Sequence, residues 1–229
     1  MVLFAVLLLA AFAVLTGSVL SGAATGFDTA LHEWFLGLRD ETLTTGAVVI
    51  THAGGSAVMW VLALAACAGL LWRGRRADAV LVAGVGAAAA VLVPVSKNLI
   101  GRARPPLNDR LVAVDSPAFP SGHSTGAAAV TGVLAVLCYL RFRHRIAARI
   151  TVVLAAVFVG LVGLSRVYLG VHWATDVVAG WSLGALLVTL GVLAHRRAGG
   201  TARPGGTVSA DPAGTRPLAE AVSARGTAG

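Results

Sequence analysis

Residues 165–194 read SRVYLGVHWATDVVAGWSLGALLVTLGVLA. A polar cluster of Ser165, Arg166, His172 and Asp176 stands at the rim of an apolar run, 173–194, that is long enough to cross a bilayer, which takes roughly 17–25 residues. Working outward from it, five more such runs lie at about 2–22, 46–72, 78–96, 122–140 and 149–165. With 57% of the 229 residues hydrophobic and 12% charged, a water-soluble domain has no interior large enough to hide them. The fold class is therefore all-α: a polytopic membrane protein of six transmembrane helices in a compact bundle, spanning 1–197. Residues 198–229 are rich in Gly, Ala, Thr, Pro and Arg and lack any periodicity able to bury a core, which predicts a disordered cytoplasmic tail.

The formal net charge of +8 follows topology and does not call for a nucleic-acid partner. Arg73, Arg75 and Arg76 fall between the second and third runs, Arg141, Arg143, Arg145 and Arg149 between the fourth and fifth, and Arg196, Arg197 and Arg203 after the sixth. On an alternating six-span path these groups share one side, which the positive-inside rule makes cytoplasmic, together with both termini. The other side carries Arg39, Lys97, Arg102, Arg104, Arg110 and Arg166, offset by Asp28, Glu33, Asp40, Glu41, Asp109 and Asp115. Membrane lipids are the expected surroundings and partners.

Smaller features fill in the layout. Phe27, Leu31, Trp34, Phe35 and Leu38 recur at helical spacing among charged residues, which predicts a short helix in the outer interface, either an anchor or a gate for lipid. The first run has no basic segment after Met1 and is long for a secretory signal, so it is expected to be retained. Gly122 with Gly126, and Gly180 with Gly184, stand four apart, a spacing that lets helix backbones approach closely in lipid. Pro94 predicts a bend in the third span, and Pro105-Pro106 stops helical continuation. Cys67 and Cys138 are each embedded in an apolar run and are expected to act as small hydrophobes, with neither disulfide nor metal.

Three polar clusters on the outer side carry the chemistry. His172 and Asp176 are four apart, so on a helix they share a face. The carboxylate then accepts from one ring nitrogen and leaves the other nitrogen's lone pair free as a nucleophile; taken alone, such a pair reads first as a contact at a helix cap or interface. Arg166 reaches the imidazole through a short turn and suits bidentate contact with phosphate oxygens, although a lone Arg at that depth also serves as an interfacial anchor. Pro120-Ser121-Gly122-His123 opens the fourth span, where unpaired amides and the helix dipole favour an anion. There Ser121 donates its hydroxyl, Gly122 lets the backbone come close to phosphate oxygens, and His123 is placed to protonate a departing oxygen. Lys97 and Arg104, seven apart, face the same way if the third helix continues to Pro105, and both then neutralise phosphate oxygens. Arg102 and Arg110 read as a basic membrane edge. Each cluster has an ordinary structural reading by itself, but together they form the inventory needed to bind a phosphoryl group and attack its phosphorus.

The order and spacing of these residues closely resemble the type 2 phosphatidic acid phosphatase family, whose pattern is Lys-x6-Arg-Pro, then Pro-Ser-Gly-His, then Ser-Arg-x5-His-x3-Asp. Lys97, Arg104, Pro105, Pro120, Ser121, Gly122, His123, Ser165, Arg166, His172 and Asp176 match it at every position. The resemblance covers 97–176 and implies a metal-independent, cofactor-free phosphatase that passes through a phosphohistidine. It assigns His172, Asp176 and His123 to catalysis, and Lys97, Arg104, Ser121, Gly122 and Arg166 to phosphate binding. The same pattern occurs in the soluble vanadium haloperoxidases, a reading that six apolar spans oppose. A lipid-phosphate binder or transporter without turnover is the rival from another class. An external site framed by membrane spans points to amphiphiles with a phosphate head. The resemblance implies undecaprenyl pyrophosphate, expected first, and phosphatidic acid or phosphatidylglycerol phosphate. Short loops are expected to leave little protein for recognising an elaborate headgroup.

Overall fold

Runs of Ala, Leu and Val form helices in which the backbone bonds within its own segment, the arrangement a bilayer interior requires. The computed structural model describes residues 1–201, and all regular structure among them is helical: α1 (Val2–Leu20), α2 (Thr25–Gly37), α3 (Glu41–Ala53), α4 (Ser56–Trp72), α5 (Arg76–Ile100), α6 (Gly122–Phe142), α7 (Ile146–Tyr168) and α8 (Ala174–Thr201), with one 3-10 turn at Leu107–Asp109. The part of the expected tail beyond Thr201 lies outside the described residues. Five helices, α1, α5, α6, α7 and α8, are long and apolar enough to cross a membrane, and α3 with α4, bent by 42° at their junction, brings the number to six when the pair is taken as one span. The protein is a multi-pass membrane protein.

That bend corrects the reading of 46–72 as one unbroken run. α3 starts earlier, at Glu41, where the Asp40 carboxylate caps it by accepting from Leu43 N at 2.9 Å. The break falls at Gly54-Gly55, where helix propensity is lowest, and Gly54 packs so closely on α7 that an added Cβ would overlap the Val162 side chain. A second correction concerns α5. It runs on through Pro94 to Ile100 and is stopped by Gly101 in the left-handed conformation, φ 63°. Lys97 is therefore helical and Arg104 is not, so their common direction cannot come from helical spacing. Arg104 belongs to the irregular segment 101–121.

α6 and α8 form the centre of the bundle. The membrane window of α8 is 61% buried and that of α6 44%, against 6% for α1, which rides on the outside of α8. Gly180 and Gly184 make this contact possible. A Cβ on the first would lie 2.7 Å from Ser121 O, and on the second 2.8 Å from Thr125 O. The other small pair, Gly122 and Gly126, instead lines an apolar groove between α4, α5 and α6. Met59, Leu81, Val82, Val133, Val162 and Leu187 belong to the core between the spans. The expected interfacial segment is helical, with Phe27 and Trp34 exposed, but its buried face is polar and consists of Asp28 and His32. The basic loops 73–76 and 141–149 sit at one end of the bundle, while the end of α5, the start of α6, the end of α7 and the start of α8 meet at the other.

Replacing Gly184 with Val should push α8 off α6 and cost about 1–3 kcal/mol. Thermal unfolding in detergent should show the loss as a lowered Tm.

Candidate active site

At the end away from the basic loops, the helix termini and segment 101–121 enclose a cavity of about 400 Å³ whose wall includes Lys97, Arg104, His123, Arg166 and His172. All three motif clusters reach it. The imidazoles of His123 and His172 line the same space.

The His172–Asp176 pair arises differently from the expected shared helix face. α8 begins at Ala174, so His172 sits in the turn before it and only Asp176 is helical. Asp176 Oδ2 accepts from the Trp173 amide at 2.9 Å and from His172 Nδ1 at 3.3 Å. An acid in the first turn that accepts from the preceding amide is half of a capping box, so one carboxylate both starts the helix and holds the ring. Arg104 Nη1 donates to His172 Nε2 at 3.2 Å. A guanidinium can only donate. The proton therefore sits on Nδ1, and the lone pair sits on Nε2 at the cavity. Burial first, then the charges of Arg104, Arg166 and Lys97, hold the imidazole pKa well below its ordinary 6.5. The ring is neutral at physiological pH.

The three cations are held mainly by backbone oxygens. Lys97 Nζ, on the last turn of α5, donates to Pro117 O. Arg104 donates to Ser116 O at 2.6 Å and to Val171 O, and burial lowers its pKa to about 10, which leaves it charged at neutral pH. Arg166 Nη1 donates to Thr51 Oγ1 at 2.7 Å, while its buried Nε has no partner among the described residues. Carbonyls and hydroxyls supply no formal charge, so the cavity remains positive and suited to an anion. The first amides of α6, at Gly122 and His123, add the unpaired N–H groups of a helix start.

Ser121 is placed differently from the expectation. It is fully buried, caps α6 through contacts with Ser124 N at 3.4 Å and Ser124 Oγ at 3.0 Å, and does not line the cavity. Its amide donates to Asp176 O at 3.0 Å, so the residue ties the start of α6 to the start of α8. Gly122 and His123 do face the cavity. A Cβ on Gly55 would stand 3.8 Å from His123 Nε2, which puts the break between α3 and α4 beside that ring.

Several residues escaped the sequence reading. Thr51 lay inside an apolar run with nothing to mark it. Segment 101–121 corrects the expectation of sparse loops, because Val112, Ala113, Val114 and Ser116 all contribute to the wall. It is pinned by Leu111 N to Leu169 O at 3.0 Å and by Arg39 Nη2 to Asp109 O at 2.7 Å. Gly170 lets this segment pass, since its φ is 69° and a Cβ there would overlap Asp109 O. Arg102, read as a basic edge, is mostly buried and pairs with Asp28 at 2.6 Å and Asp176 at 2.5 Å. Nothing in the stretch Gly101-Arg102-Ala103-Arg104-Pro105 marks Arg102 off from Arg104 as the inward-pointing one. From that stretch the two arginines reach opposite sides of the dyad, Arg102 touching Asp176 and Arg104 touching His172. The cavity also shares Ser56, Val93 and Gly122 with the apolar groove, which has a volume of about 230 Å³.

Two predictions follow from this geometry. Thr51→Val removes the hydroxyl that holds Arg166 while keeping its shape, and should lower kcat/KM on a phosphate substrate about tenfold. Because the folded-state pKa of His172 lies below 6.5, the unfolded chain takes up that proton first, so acidification below 6.5 costs stability. Wild type should therefore lose more stability than His172→Asn on going down to about pH 4.5; parallel unfolding profiles would show that the imidazole is not buried neutral.

Comparison with known proteins agrees with this geometry. Residues 78–199 match the model of the PAP2 superfamily. The chain is 36% identical to phosphatidylglycerophosphatase B of Bacillus subtilis (strain 168), over 78% of this chain and 88% of that one. It is 33% identical to decaprenylphosphoryl-5-phosphoribose phosphatase of Mycobacterium tuberculosis, over 67% of this chain and 80% of that one. Among solved structures, a transmembrane PAP2-type phosphatidylglycerolphosphate phosphatase from Bacillus subtilis superposes with a TM-score of 0.77 at 33% identity, covering 84% of this chain and 96% of that one. With residues from all three motif clusters at one cavity and the match running through α5 to α8, this chain belongs to the PAP2 superfamily and is a membrane lipid phosphatase.

Proposed function

We propose that the protein hydrolyses a phosphate monoester or pyrophosphate of a lipid, without a metal ion, through a phosphohistidine on His172. The observation that carries this reading is the two-sided fixing of the imidazole, with Asp176 at Nδ1 and Arg104 at Nε2, beside a cavity of three cations. An arriving phosphoryl group takes the place of Arg104 against Nε2, and the guanidinium moves to a phosphate oxygen. Lys97, Arg166 and the Gly122 and His123 amides hold the remaining oxygens, stabilising charge that moves onto them in the transition state. Ser121 acts here by fixing the start of α6.

In the first step the Nε2 lone pair forms a bond to phosphorus as the bond to the leaving oxygen breaks, and His123, which takes up a proton once the bound phosphate offsets the charge of the three cations, gives that proton to the leaving oxygen. Asp176 balances the positive imidazole that results. In the second step a water molecule gives a proton to His123 and attacks phosphorus, the N–P bond breaks, and phosphate leaves with both histidines restored. Fixed cations supply the charge stabilisation that magnesium often supplies in phosphoryl transfer.

The apolar groove that opens from the cavity supports an amphiphile whose tail lies between α4, α5 and α6. The relative and the solved structure named above support phosphatidylglycerol phosphate as the first substrate to test. Undecaprenyl pyrophosphate is the second, supported by the decaprenylphosphoryl-acting relative. The basic loops at the far end of the bundle support an external active site with both termini cytoplasmic.

Purified protein should release phosphate from at least one of phosphatidylglycerol phosphate, undecaprenyl pyrophosphate and phosphatidic acid, in the presence of chelator. His172→Asn should lower that rate about a thousandfold or more, as loss of a covalent nucleophile does, while the protein stays folded. A strict need for a divalent ion would defeat the metal-independent mechanism. Binding of these lipids without turnover would favour a carrier.

A further inference from the structure

Behind the dyad, on the side away from the cavity, lies a buried charge cluster of which the mechanism above uses only Asp176. Asp28 of α2 and Asp176 of α8 are 1% and 0% exposed, and they share one guanidinium. Arg102 Nη2 bonds Asp28 Oδ2 at 2.6 Å, and its Nη1 bonds Asp176 Oδ1 at 2.5 Å and Thr175 Oγ1 at 2.7 Å. Thr175 closes the cluster by donating its amide to Asp28 Oδ1 at 3.0 Å and its hydroxyl to Asp28 Oδ2 at 2.6 Å. Each oxygen of Asp176 thus has its own set of partners: Oδ1 faces Arg102, and Oδ2 faces His172 and the Trp173 amide. The Trp173 ring, its Nε1 bonded to Ala103 O at 2.9 Å, stacks under Arg102 with the guanidinium carbon 5.7 Å from the ring centroid.

Charge balance gives this arrangement a purpose beyond holding α2 in place. A single carboxylate paired with a single guanidinium is close to neutral and has little charge left for a neighbour. With Asp28 also drawing on Arg102, the three groups together carry one net negative charge. A neutral His172 does not need that charge, but one that has just bonded to phosphorus does, because its ring becomes cationic. The cluster is buried, where such interactions are screened least. Neither Asp28 nor Arg102 lines the phosphate cavity, so neither is in position to bind the phosphoryl group.

Resting on the phosphohistidine reading, we infer that Arg102 and Asp28 are positioning residues: the buried relay Asp28–Arg102–Asp176 orients the carboxylate that holds His172 and keeps it negative enough to stabilise the phosphorylated ring. α2 thereby becomes part of the catalytic apparatus. Its outer face exposes Phe27 and Trp34, while its inner face supplies one end of the relay.

The test compares Asp28→Asn, Arg102→Gln and Arg102→Lys in the full chain, in detergent, on the lipid phosphate that wild type turns over best. Inorganic phosphate serves as a competitive probe of the cavity. Arg102→Gln should lower kcat about 30–100-fold and Asp28→Asn about tenfold, with KM and the inhibition constant of phosphate within about threefold of wild type. Arg102→Lys, which keeps a charge but not the fork, should recover to within about tenfold of wild type. In an Asp176→Asn background, Arg102→Gln should change kcat by less than about threefold, because its effect passes through that carboxylate. If Arg102→Gln does not fold, Asp28→Asn, which keeps the acceptor for the Thr175 amide, and Arg102→Lys decide by the same criteria. Unchanged kcat in these variants overturns the inference. So does a fall in kcat matched by equal weakening of phosphate inhibition, which marks a structural staple. A wild type that turns over no lipid phosphate removes both the underlying reading and this one, whereas turnover lost only in His172→Asn leaves that reading standing without the relay.

Discussion

Three cations of like sign converge on one cavity at the end of a membrane bundle, and the protein holds them there almost without countercharge. Pro117 O, Ser116 O, Val171 O and the Thr51 hydroxyl tether Lys97, Arg104 and Arg166, and the Asp176 carboxylate faces the imidazole. Mutual repulsion and burial both oppose such a cluster. An anion would relieve both, which is the physical ground for the phosphate site proposed above. The neutrality of His172 follows from the same field, since a proton on that ring would be a fourth charge among three.

Most of what builds the cavity is a helix terminus or an interruption. Asp176 starts α8, Ser121 starts α6, Gly101 ends α5, and Gly170 turns the chain out of α7. The regular middles of the spans pack against one another and carry no chemistry. Close contact of α8 with α6 through Gly180 and Gly184 brings the starts of both helices together, and the hydrogen bond from Ser121 N to Asp176 O joins them. A change deep in the bundle can therefore displace a catalytic group without touching it.

Much of this was legible in the sequence because bilayers impose length and hydropathy, and because phosphate chemistry needs unusual residues at membrane rims. The spans, the side occupied by the basic loops, and Lys97, Arg104, Gly122, His123, Arg166 and His172 at one cavity all follow from those two demands. What stayed hidden depends on tertiary contact. The sequence shows Thr51 as a polar residue in an apolar run, and only the close packing of α3 on α7 turns it into a partner for Arg166. Arg102 and Asp28 are 74 residues apart along the chain. Arg102 looked like one more basic rim residue, because a single chain does not say which arginine points inward. The Gly54-Gly55 break was readable as two weak helix formers, but hydropathy ran straight across it.

The break between α3 and α4 has one more consequence. Backbone that leaves helical pairing at membrane depth is tolerated only where protein covers it or water wets it. Gly55, beside His123 and next to a residue of the cavity wall, lies at such a point. Here protein does the covering: Gly54 N and Gly55 N bond back to Ile50 O and His52 O, and Val162 packs over Gly54. The bend thereby sets the wall against which His123 rests, so the angle between α3 and α4 fixes the room left for an imidazole carried by α6.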